Sequence, residues 1–82
     1  MTAITIVTPW LECPELAPAY WRAMSVLGED DRVIVVDNGS RERVVAPEDA
    51  RFDVVRLERN IGFSKASNLG LIGVLTRAVA FL

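Results

Sequence analysis

The chain has 82 residues, 51% of them hydrophobic and 24% charged, with a formal net charge of −2. That length holds at most one small domain, and that balance of apolar and charged residues is globular rather than disordered. Mild acidity argues against a nucleic-acid or anionic-membrane partner, and the lone Cys13 cannot form an internal disulfide. The absence of histidine removes Ser-His-Asp and Cys-His catalysis and the usual zinc sites. No apolar run reaches about 18 residues and no charged-then-apolar leader pattern is present. A cytoplasmic location is therefore expected or, in a longer protein, one at a membrane face.

Ala3-Ile4-Thr5-Ile6-Val7-Thr8 is a short β-branched run and reads as a buried strand that Pro9 stops. A helix follows, opening at Pro14 or at Pro18, because proline suits the first helical turn. A start at Pro14 would leave Pro18 further inside, where a kink would form. Leu16, Tyr20, Met24 and Leu27 recur at helical spacing, with Ala17, Ala23 and Val26 on the same side, and Gly28 reads as the C-cap. Arg32 to Asp37 is the clearest strand, and its unbroken apolar run suits a parallel strand covered on both faces. From Arg41 to Asp49 the dense, mixed charges predict a solvated connection with one helical turn. Phe52 to Leu57 reads as a third strand, 64–75 as a helix, and Ala78 to Leu82 as a fourth strand. Strand and helix patterns alternate as in βαβ units, which predicts an α/β, Rossmann-like, mostly parallel sheet.

Two stretches carry chemistry. Asp37-Asn38-Gly39-Ser40 closes the clearest strand, and ligands of open α/β sheets bind beyond the carboxyl ends of their strands. An acidic side chain there can accept from a ribose hydroxyl or a base N–H. The purely structural alternative is an Asx turn, in which Asp37 and Asn38 bond nearby backbone. The second stretch, Arg59 to Leu71, reads RNIGFSKASNLGL. Gly62 lets backbone approach a planar ligand, and the helix entered at Ser64 points its positive end toward the same edge. Its structural alternative is helix capping by Ser64, with Asn68 on a solvated face.

Taken in order, the strand ending at Thr8, the VIVVDNGS run and the R-N-x-G-F-x-x-A-x-N-x-G run of Arg59 to Gly70 resemble family 2 glycosyltransferases of the GT-A fold. The rhamnosyltransferase-like bacterial members are nearest in wording. The resemblance spans nearly the whole chain. It implies the nucleotide-binding half of such a domain, with strand order 3-2-1-4 and helices on both faces. The implied activity is inverting transfer of a sugar from a UDP- or dTDP-linked donor to an acceptor hydroxyl. By the same resemblance Thr8 and Asp37 contact base and ribose, the Asn60–Gly62 loop lies beside the nucleotide, and Lys65 and Asn68 face base or diphosphate.

The chain also departs from the family pattern. Pro9-Trp10 stands where many members carry an aromatic-Asn pair, and Arg41-Glu42 where Thr-Asp is common. The acidic metal motif expected after a strand such as AVAFL, and the general base expected later, have no counterpart before Leu82. Manganese or magnesium is thus expected for a full-length enzyme and none for this chain, which by itself should not transfer sugar. Glu29-Asp30-Asp31 precedes a strand and so falls at the opposite edge. The rival readings are a stand-alone nucleotide-binding or regulatory module, an assembly fragment, and a flavodoxin-like receiver, which lacks support because no acidic cluster accompanies Asp37. The apolar Ala78–Leu82 edge carries neither Lys nor Pro, so a homodimer through that strand is expected.

Overall fold

The computed structural model describes residues 3–70 and 78–81. The β-branched runs form four strands, β1 (Ile4–Trp10), β2 (Arg32–Asp37), β3 (Phe52–Arg56) and β4 (Ala78–Phe81). Their spatial order is β3-β2-β1-β4, and each adjacent pair is parallel. The expected 3-2-1-4 sheet is therefore the observed one. Helix α1 (Ala17–Met24) connects β1 to β2, and α2 (Phe63–Gly70) follows β3.

The period of two along a strand divides the core. Ile6, Trp10, Val33, Val35 and Phe52 project to one face, where Ala17, Tyr20, Trp21 and Met24 of α1 cover them. Val7, Ile34 and Val36 project to the other, where they meet Ala66 of α2. Val33, Val35 and Val36 are fully enclosed, which explains why β2 reads as one apolar run instead of an alternating one. Helices thus lie on both faces. Aromatic rings run from sheet to helix and back, with Trp10–Tyr20, Tyr20–Trp21 and Trp21–Phe52 centroids 5.3, 5.1 and 5.2 Å apart. Burying rings of this size stabilises by about 1.5–3 kcal/mol each.

Three local expectations are corrected, and one open alternative is resolved. Pro9 does not stop β1, which pairs with β2 as far as Trp10↔Asp37. The Trp10 carbonyl accepts from Asn38 N–H at 2.8 Å, so residue 10 faces β2 and Pro9 faces the β4 side. There the described pairing ends at Val7↔Phe81, so the missing N–H of Pro9 interrupts no described ladder bond. Both prolines open a helical segment: Pro14 starts a 3₁₀ turn over Pro14–Leu16, and Pro18 lies at the first turn of α1. Gly28 is not the C-cap. Helix α1 ends at Met24, where the Ser25 hydroxyl donates to Arg22 O at 2.6 Å, and Gly28 instead begins the turn to Asp31. Finally, residues 41–49 contain no helical turn, and Val44 is buried in the α1-side core rather than solvated. The expected helix over 64–75 is seen through Gly70; residues 71–75 of it, like Leu82, lie outside the described residues.

Candidate functional site

Because the strands are parallel, the loops after β1, β2 and β3 all emerge at one edge of the sheet. Polar side chains at the end of β2 bind these loops together in two layers, one on each face.

On the α1 face, Asp37 is fully buried. Its Oδ1 accepts from Ser40 N–H at 3.1 Å, while Oδ2 accepts from Val44 N–H at 3.0 Å and Arg56 Nη1 at 2.8 Å. Arg56 Nη2 also donates to Ser40 O at 2.8 Å, clamping the loop to β3. Burial pushes the Asp37 carboxyl up, but the Val44 N–H, the hydroxyl and N–H of Ser40, and the Arg56 charge together hold it below its ordinary value. The Ser40 hydroxyl oxygen accepts from Glu12 N–H at 2.9 Å, and Glu12 Oε1 accepts from Arg41 N–H at 2.6 Å. Glu12 sits at φ 53°, a left-handed conformation that a non-glycine residue holds only when its surroundings fix it.

On the α2 face, Asn38 fastens the 57–62 loop. Its Oδ1 accepts from Ile61 N–H at 2.9 Å and its Nδ2 donates to Asn60 Oδ1 at 2.9 Å. Asn60 Oδ1 also accepts from Gly62 N–H at 2.8 Å. Gly39, at φ +85°, brings the two backbones into contact: a Cβ there would lie 2.6 Å from the carbonyl carbon of Arg59. Beside this clasp is a hollow of about 260 Å³ with Pro9, Trp10, Leu11 and Phe63 on its apolar side and Asn38, Asn60 and Gly62 on its polar side. Phe63 is 65% exposed and Leu11 41%, so apolar surface is available to a ring-shaped ligand. A larger hollow of about 430 Å³ between β3 and α2 is mainly aliphatic, with Asp53 its one charged lining residue, and so offers few polar groups to orient a ligand.

Residues 5–82 match the family described as Glycosyl transferase family 2. The chain belongs to that family. No individual curated protein matches it. In this family 2 chain the six sequence-expected site residues fall into three places. Asn60 and Gly62 line the hollow at the clasp. Lys65 and Asn68 line a neighbouring one with Ile61 and Leu69. Thr8 and Asp37 lie on the α1 face and are bonded internally; the Thr8 hydroxyl is 2.7 Å from that of Tyr20. Burial pushes the Tyr20 phenol up, against the opposing pull of the Thr8 hydrogen bond.

Asn38 is the site residue that sequence reasoning left out. Its signal was available, since residues 37 and 38 end a strand and must face opposite sides of the sheet. Among the described residues, no three His, Cys, Asp or Glu side chains come together in a way that could hold a metal ion. Asp31 accepts from Ile4 N–H at 2.9 Å and Gly28 N–H at 2.7 Å, at the amino edge of the sheet. These residues do not fit a metal-diphosphate site. No helix among the described residues is long and apolar enough to cross a membrane.

Proposed function

We propose that the carboxyl edge of this family 2 glycosyltransferase chain holds the nucleoside diphosphate of a UDP- or dTDP-linked sugar donor. It would form the nucleotide-binding half of a GT-A domain performing inverting transfer to an acceptor hydroxyl. The observation that carries the reading is the hollow itself, apolar on the Leu11 and Phe63 side and amide-bearing on the Asn38 and Asn60 side. That combination suits a flat heterocycle with polar edges.

The roles follow from burial. Asn38, Asn60 and Gly62 meet the base, and Lys65 and Asn68, one hollow further along α2, lie on the diphosphate side. Asp37 and Thr8, whose polar atoms already have internal partners, act as positioning residues. A manganese or magnesium ion would need carboxylates other than those described, and the reading does not depend on one. A second copy along β4 belongs to the same reading, since β4 is an edge strand and Phe81 is 48% exposed. Sedimentation at rising concentration checks it, a dimer being the expected species and a monomer throughout the contrary one.

The test of nucleotide binding is saturation-transfer NMR with UDP. The base protons are expected to take up more saturation than the ribose protons. Phe63→Ala, a change at an exposed side chain, should weaken binding about fivefold or more. Absence of transfer, or transfer indifferent to Phe63, would contradict the assignment.

A further inference from the structure

We infer that Asn38–Gly39 is a deamidation site held inactive by the clasp, and that opening of the clasp converts Asn38 irreversibly to an acidic residue. This concerns the chain's own chemistry and does not depend on nucleotide binding.

An asparagine side chain is open to attack by the backbone nitrogen of the residue that follows it. The Gly39 nitrogen forms a bond to Asn38 Cγ, the Cγ–Nδ2 bond breaks, and the Gly39 proton leaves with Nδ2 as ammonia. One water from solvent then opens the cyclic imide. Opening at Cγ gives an aspartate; opening at the backbone carbonyl gives an isoaspartate, with an extra carbon in the main chain. Of the chain's asparagines, Asn38 alone precedes a glycine, which puts no side chain in the way of the attack. Asn60 and Asn68 precede Ile61 and Leu69.

The fold opposes each step. Asn38 is 4% exposed, which excludes water. Its Oδ1 accepts from Ile61 N–H and its Nδ2 donates to Asn60 Oδ1, and ring closure expels that nitrogen. Gly39, the attacking residue, is packed against the backbone of Arg59. The reaction therefore waits on separation of the 57–62 loop from the end of β2, a local opening. Neither product restores the clasp. An aspartate sets an acceptor against Asn60 Oδ1, which Gly62 N–H keeps turned that way, and brings negative charge into a buried position. An isoaspartate lengthens the turn whose spacing joins Ser40 N–H to Asp37 Oδ1.

The experiment follows deamidation of the intact chain at mildly alkaline pH by peptide mass spectrometry, with aspartate and isoaspartate separated by chromatography. Native wild type is expected to react roughly tenfold or more slowly than the same chain in guanidinium chloride, at Asn38 in both. Asn60→Ala removes the acceptor of Asn38 Nδ2, so the folded variant is expected to react severalfold faster than wild type. Equal native and denatured rates, or a folded N60A no faster than wild type, overturn the protection. The comparison of native with denatured wild type decides it alone should N60A fold poorly. Asn38→Asp tests the consequence. Its Ile61 and Gly62 amides are expected to exchange with solvent severalfold faster than in wild type. Wild-type exchange at both would show that an acidic residue leaves the clasp closed, which overturns the irreversible opening.

Discussion

Asp37 shows how the role of one side chain depends on which face of a strand it takes. Its position at the end of β2 marks it from sequence as a ligand acceptor, yet it is fully buried with Ser40, Val44 and Arg56 around it. Sequence could place the carboxylate at the carboxyl edge of the sheet; it could not show that three groups from its own loop and β3 would surround it. Asp37→Asn keeps the shape but removes the charge and turns an NH₂ toward a donor. It should destabilise the fold by about 2–4 kcal/mol at pH 7, read from urea midpoints. The pH dependence has a defined sign. The folded-state pKa of Asp37 is depressed, so its contribution is complete above the unfolded value near ~4 and is lost as pH falls through the lower folded value. The gap between wild type and D37N should therefore narrow as pH drops below about 4. Asp49, held down to about 2 chiefly by its bond to Arg51, retains its share of the acid limb in both proteins. A gap that stayed constant from pH 7 to pH 2 would mean that folding does not lower the Asp37 pKa.

At the scale of elements, the strands and helices follow from short-range chemistry and the loops do not. β2 was readable because a six-residue strand enclosed on both faces must be apolar nearly throughout. The inward burial of Val44 could not be read, because it depends on a hydrogen bond to Asp37 seven residues earlier rather than on the local run of charges. Pro9 misled for a related reason: a proline interrupts a ladder only where its nitrogen faces a partner strand, and that requires the sheet order. The two positive-φ glycines among the described residues divide in the same way. Gly39→Ala would drive a Cβ into the Arg59 backbone, so it should cost about 3 kcal/mol or more and loosen the 57–62 loop. Gly62 has comparable φ but open space around it, so Gly62→Ala should cost only the conformational strain, about 1–2 kcal/mol. Thermal or urea unfolding of the two variants checks the contrast, and equal losses would show that the contact between loops is not what holds Gly39.

Across the whole molecule, the parallel order β3-β2-β1-β4 gathers three loops at one edge, while Asp31 and the turn from Gly28 lie at the other. Membership of glycosyl transferase family 2 and this topology agree with the sequence resemblance, but the division of the expected site residues between two faces required coordinates. A nucleotide is proposed to settle on the Asn38–Asn60 clasp. The most direct test of that proposal is an amide-resolved NMR titration of the chain with UDP, for which a dissociation constant of about 1 mM is expected. The largest shift changes should fall at Leu11, Asn38, Asn60, Ile61 and Gly62, with Gly28 and Asp31 unmoved. Changes spread evenly over the surface, or concentrated at the Gly28–Asp31 edge, would contradict it.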